Sequence, residues 1–126
     1  MNREEMKKRT KAYANRIVKL SSALSANWIA QTLGKPLLRS GTSVGANYRA
    51  VRRAKSNSDF INKLRNVEEE CDKSLFWMEL LVENGLVKPA RLSALMKEGD
   101  EILAIIVSSA KTARFSKSAS IANRKS

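Results

Sequence analysis

Arg49, Arg52 and Arg53, with Lys55 close behind, are the side chains whose type and spacing point most directly to chemistry. On a helix, steps of three and four residues place the three arginines on one face. Like charges set this way cost roughly 0.2–0.5 kcal/mol per pair, so an anion must offset them. A phosphate backbone would do so through charge-assisted bonds to guanidinium. Acids of the same chain, among them Glu68, Glu69, Glu70 and Asp72, would do so by internal pairing. Lys7, Lys8, Arg9 and Lys11 form a second basic band near the N-terminus. Tyr48, beside the arginines, is either a stacking platform for an unpaired base or a half-buried packing residue.

The wider charge pattern favours phosphate. From Met6 to Ser58 there are twelve basic side chains and no acid, and this run alone equals the net charge of +12. The remainder nearly cancels. A folded domain with one half of a single sign repels itself unless something anionic lies opposite. Nucleic acid is the commonest polymer that offers such an anion. The bland alternative is a face that only keeps the protein soluble, a task evenly spread charge would serve as well.

Other chemistry is poorly provided for. Histidine is absent and Cys71 is the single cysteine. A His/Cys metal cage, a Ser-His-Asp triad and an internal disulfide are therefore excluded. Cys71 reads as a small core residue. Glu68-Glu69-Glu70 with Asp72 invites comparison with a two-metal nuclease, but consecutive helical residues diverge by about 100° each and do not converge. A solvated helix face explains them better. Residues Gly41 to Asn47 lack the Gly-Lys-Ser/Thr ending of a phosphate-binding loop. We expect no catalysis, no cofactor and no bound metal.

The elements that must position these residues are helical throughout. Asn2 caps a first helix, with Glu5 as the partner of a capping box. Met6, Tyr13, Ile17, Leu20 and Leu24 form its stripe, and Ser25–Asn27 reads as a turn. A second helix is expected over 28–55, interrupted at Gly34 and Pro36 by a kink or by division into two stacked pieces. Its inward face is Leu33, Leu37, Ser40, Val44, Asn47 or Tyr48, and Val51. Gly41 and Gly45, four apart, would let a neighbouring backbone approach closely. Ser56 with Asp59 opens a third helix, whose seam is Phe60, Leu64, Val67, Cys71, Ser74, Met78 and Leu81. Gly85 suits its left-handed C-terminal position, and Pro89 starts a fourth. Leu92, Leu95, Met96, Ile102, Leu103, Ile106, Val107 and Ala110 carry the last core face, with Gly99 among them. Residues 1–115 thus read as an all-α, up-down-up-down four-helix bundle and residues 116–126 as a frayed basic tail.

Arg39 and Asn47 fall near the expected inner face. A buried Arg39 requires a carboxylate, Glu70 or Glu79, because an unpaired one costs several kcal/mol. Such a network is structural. Trp28 and Trp77 read as packing residues or as anchors of a subunit interface.

The longest apolar run, Ile102 to Val107, is far below the roughly twenty residues that span a bilayer. No secretion signal is evident at the start. A soluble, cytoplasmic protein without membrane contact is expected.

Three stretches carry a family likeness: Leu38-Arg-Ser-Gly-Thr-Ser-Val-Gly-Ala-Asn-Tyr-Arg49, Ser58-Asp-Phe-Ile-Asn-Lys-Leu64 and Phe76-Trp-Met-Glu-Leu-Leu81. The chain resembles, over roughly residues 10–113, the four-helix-bundle proteins encoded in intervening sequences of bacterial large-subunit ribosomal RNA genes. That superfamily includes the accessory variability determinant of diversity-generating retroelements. The resemblance implies an antiparallel bundle assembling as a ring-like homopentamer. For the retroelement branch it also implies a basic adaptor that binds a reverse transcriptase and structured RNA. Arg39, Asn47, Glu70 and Glu79 match family positions, with structural roles implied. Ala50 stands where the family often has Glu, and Lys73 where an acid is common. Both departures make this chain more basic. Two functions follow as expectations: an oligomeric nucleic-acid-binding or ribonucleoprotein-adaptor protein, RNA being favoured, or a protein–protein module with incidental nucleic-acid affinity.

Overall fold

A computed structural model describes residues 1–125, and side chains through Ser116. It contains four helices: α1 (Arg3–Ser22), α2 (Trp28–Val51), α3 (Asn57–Glu83) and α4 (Pro89–Lys125). They pack antiparallel in chain order, as expected. α1 packs on α2, α2 on α3 and α3 on α4, while α1 and α4 meet at few points. Of the expected tail, 116–126, all but Ser116 lies outside the residues whose side chains are described.

The helix ends follow from local hydrogen bonding. Asn2 Oδ1 accepts from the Glu5 N–H at 2.8 Å, and Glu5 Oε1 accepts in return from the Asn2 side-chain amide at 3.1 Å. Ser56 Oγ accepts from the Asp59 N–H at 3.1 Å, and Asp59 Oδ2 accepts from the Lys55 N–H at 3.0 Å. Both are capping boxes in which the acid takes a donor next to the usual one. At the end of α3, Gly85 has φ +69°. Its N–H reaches the Val82 carbonyl at 3.0 Å and the Leu86 N–H reaches Leu81 at 2.9 Å, the two bonds of a Schellman motif.

Two expectations for α2 are corrected. The chain keeps one helix through Pro36 rather than two pieces. Proline removes a single backbone bond, and Gly34, Leu37, Ser40 and Gly41 are buried on either side of it, so packing holds the helix together. α2 also ends at Val51, not Lys55. The Arg53 and Ala54 N–H groups bond to Ala50 and Val51 in a tightened last turn, and the Ser56 cap claims the chain for α3.

The core is the expected set of stripes. Tyr13, Ile17, Leu37, Val44, Leu64, Val67, Met78, Leu81, Leu92 and Ile102 are fully buried. Ile61 is buried where Phe60 was expected to lead the α3 seam, and Phe60 is half-buried. Cys71 is a core residue as expected, and its thiol donates to the Gly99 carbonyl at 3.3 Å. Burial pushes that thiol up to about 12.

Candidate nucleic-acid interface

Close contact between α1 and α2 assembles the basic surface. A Cβ built on Gly45 would lie 3.2 Å from the Thr10 carbonyl oxygen and 3.5 Å from Lys11 Cα; one on Gly41 would lie 2.6 Å from Ile17. The small residues in Ser40-Gly-Thr-Ser-Val-Gly-Ala46 thus bring the two backbones together. This brings Lys7 of α1 beside Arg49 and Arg52 at the end of α2.

Near the end of α2, Lys7, Arg49 and Arg52 line one cleft together with Arg3 and Glu4. Arg3 and Arg52 also line a larger open groove of about 640 Å³, joined there by Lys55, Asn57, Ser108 and Thr112. The Arg3 guanidinium sits 4.6 Å above the Phe60 ring, which holds it in place at the groove. Arg49 belongs to the last turn of α2, while Arg52 caps the helix and Arg53 and Lys55 lie in the connection to α3. The three arginines therefore do not share a helical face. They gather instead around a helix C-terminus, where the backbone dipole favours positive charge.

All four of these cations are exposed, and among the described residues none forms an ion pair. Internal neutralisation by Glu68, Glu69, Glu70 or Asp72 does not occur. Glu70 instead pairs with Lys73 at 3.3 Å. Lys8 and Lys11 are exposed on α1 and Lys7 is half-buried.

Arg9 leaves the proposed band. Its Nε and Nη2 donate to Glu98 at 2.7 and 2.6 Å, and Nη2 also to Glu101 at 2.6 Å. Helical spacing turns Arg9 towards α4, away from the neighbouring lysines. Tyr48 is buried, so it cannot stack on a base, and burial raises its hydroxyl's pKa.

The expected internal network does not form. Arg39 is exposed on α2, Asn47 is half-buried, Glu79 is exposed and Glu70 is engaged by Lys73. The expected inner face of α2 is the observed one, with Leu37, Ser40, Val44, Tyr48 and Val51 buried, but Arg39, next to Ser40, falls outside it and is exposed. Trp28 is no packing residue either: it is 74% exposed. Trp77 is half-buried and meets Phe76 edge-to-face at 5.1 Å. No cluster of three potential metal ligands occurs among the described residues.

Arg3 was missed by sequence reasoning because Glu4 and Glu5 mask its charge. The signal was available: Glu5 is committed to the cap with Asn2, which leaves Arg3 less compensated than a charge sum implies. No helix among the described residues is long and apolar enough to cross a membrane.

No curated protein matches the sequence. Among solved structures, a protein of unknown function from the S23 ribosomal protein family of Bacteroides thetaiotaomicron is similar, with a TM-score of 0.81 and 32% identity. The match covers 88% of this chain and 99% of that one. The family model for the 23S rRNA-intervening sequence protein matches residues 3–108. With the same four-helix architecture and a match over most of its length, this chain belongs to the 23S rRNA-intervening sequence protein family.

Proposed function

We propose that the protein is a non-catalytic, oligomeric nucleic-acid-binding protein whose ligand is RNA. One observation carries this reading: Arg49, Arg52, Arg53 and Lys55 are exposed and form no ion pair among the described residues, while Arg52 and Lys55 line an open groove with Arg3, and Arg49 and Arg52 line a cleft beside it. Exposed cations that form no ion pair, beside an open groove, suit phosphate. The family's name adds an association with ribosomal RNA. Binding is mainly electrostatic, with little base readout. Kinship suggests a homopentameric ring and an adaptor role beside a reverse transcriptase. Five such faces on one particle would multiply weak contacts by avidity.

The test is the salt dependence of RNA affinity. Replacing Arg49, Arg52 and Arg53 by Gln should lower the slope of log affinity against log salt by about two to three, at 0.7–0.9 per phosphate contact. The helical circular-dichroism signal should be unchanged. An unchanged slope removes these residues from the interface. The mass of the purified particle, with its absorbance ratio at 260 and 280 nm, gives the stoichiometry and any bound nucleic acid.

A second reading rests on α3. Glu69, Asp72, Phe76 and Glu83 are exposed at steps of three, four and seven, an acidic stripe around an aromatic that is 51% exposed. This face suits a protein partner. A complex that survives nuclease and high salt, and is lost in Phe76→Ala, would favour it.

A further inference from the structure

α2 carries no acid along its whole length. Trp28, Lys35 and Arg39 follow one another at steps of seven and four residues, which return to nearly the same side of a helix, and Arg49, ten residues further on, lies about 80° round from Arg39. All four are exposed. Ala46, on the same stripe, is exposed as well, so nothing bulky interrupts the path. At 1.5 Å per residue, Trp28 and Arg49 stand about 30 Å apart along the axis.

Trp28 is the unexpected member. An indole 74% exposed is left wet at the cost of its apolar area. Its position is nevertheless fixed. Asn27 Oδ1 caps the helix at the Ile29 and Ala30 N–H groups, at 2.9 and 3.2 Å. The Gln31 amide holds the preceding loop through the Leu24 and Ser25 carbonyls, at 3.3 and 2.8 Å. The ring is thus presented on a firmly anchored turn, in line with a row of cations.

We infer that the outward face of α2 is a track for single-stranded nucleic acid: Lys35, Arg39 and Arg49 follow the phosphates, and Trp28 stacks on a base at the far end. This rests on the nucleic-acid reading above and narrows it to unpaired strands. A stacking ring and spaced cations are what a strand needs when its bases are free. A duplex keeps its base faces internal and gains nothing from Trp28.

The test compares two probes on the full chain at low salt: an oligouridylate of roughly twelve nucleotides and an RNA duplex of equal length. Anisotropy of a labelled strand reports binding independently of tryptophan emission. The expected result is quenching of tryptophan emission by the single strand, absent in Trp28→Phe and absent with the duplex. Trp28→Ala should weaken the single strand about fivefold or more and leave the duplex unchanged. Lys35→Gln with Arg39→Gln should lower the single-strand salt slope by about one, at 0.7 per phosphate. Binding without quenching, or equal loss for both probes in Trp28→Ala, overturns the track while the general nucleic-acid reading stands. A change of particle mass in Trp28→Ala also overturns it, by assigning the indole to a subunit contact. Failure of both probes to bind sinks the underlying reading itself.

Discussion

Arg9 Nη2 lies 2.6 Å from Glu98 Oε1, and Arg9 Nε lies 2.7 Å from Glu98 Oε2, so one guanidinium edge grips one carboxylate with two parallel bonds. The pair joins α1 to α4, which otherwise meet at few points. It removes Arg9 from the cationic surface and gives it a structural task. Replacing Arg9 by Gln should therefore destabilise the fold by roughly 1 kcal/mol, above the median for exposed pairs because the side chains are only 20% and 21% exposed. RNA affinity measured on the folded fraction should keep its salt slope. A slope reduced as much as in Arg52→Gln would return Arg9 to the interface.

The same pair sets a pH dependence. Hydrogen bonding to Arg9 holds the Glu98 carboxyl below its ordinary 4.5, against a smaller opposing effect of burial. A lowered carboxylate contributes stability that is complete above its unfolded value and lost as pH falls through the folded value. Between pH 7 and about 5 the contribution should be flat, and below 4.5 it should decline. Urea midpoints of wild type and Arg9→Gln should thus converge as pH falls below that value. A gap that stays constant down to full protonation would exclude Glu98 as the group responsible.

Much of this architecture was legible from local rules. Asn2, Ser56, Gly85 and Pro89 mark helix ends by hydrogen bonding or backbone preference, which a short stretch of sequence contains. The α3 seam needed only its alternation of three and four. What failed depended on neighbours. Pro36 reads as a break until burial on both sides is known. Arg39 stands next to Ser40 of the inner face, and only the packing of the neighbouring helices shows that it falls just outside that face. Arg9 and Lys8 are adjacent in sequence and alike in type, and only the position of α4 separates their roles. Of the two readings of Trp28, packing residue or interface anchor, packing failed because the indole stands at the very start of α2, where no neighbouring helix covers it.

Gly41 and Gly45 should differ sharply when changed to alanine. Each change gains about 1 kcal/mol of helix propensity. At Gly41 the new methyl would sit 2.6 Å from both Ile17 Cγ atoms and 2.9 Å from its Cβ, and Ile17 is fully buried. Overpacking there costs about 1–3 kcal/mol, so Gly41→Ala should be net destabilising. At Gly45 the nearest atoms are 3.2 and 3.3 Å away, close enough to be met by a small shift. Thermal midpoints should rank Gly45→Ala above Gly41→Ala, and the reverse order would contradict the packing described.

Tyr13 and Ser74 offer a test of how a buried hydrogen bond is shared. Their oxygens are 2.7 Å apart, and Ser74 Oγ already donates to the Cys71 carbonyl at 2.7 Å. The serine has one proton, so Tyr13 is the donor of the pair. Tyr13→Phe then removes a donor and leaves Ser74 bonded to Cys71, at a cost of about 1 kcal/mol. Ser74→Ala strands a fully buried phenol without an acceptor, at a cost of about 1–3 kcal/mol. The double variant should cost less than the two single changes added together, because the stranded phenol is then gone. Denaturant melts of the three variants measure the coupling. Equal single costs with simple additivity would mean that another group satisfies Tyr13.

Cys71 should report global unfolding. Its side chain is fully buried and its thiol is pushed up to about 12. At pH 8 the thiolate is about one part in ten thousand, and even that is out of reach of reagent. Labelling by a disulfide reagent such as Ellman's should therefore proceed only through opening of the bundle. The rate should rise with urea in parallel with loss of helical signal. The bond to the Gly99 carbonyl ties Cys71 to α4, so release of that helix alone would also expose it. Arg9→Gln, which loosens α4 from α1, should speed labelling by the factor that its loss of stability predicts. Labelling faster than that factor would mean that α4 detaches as a separate unit.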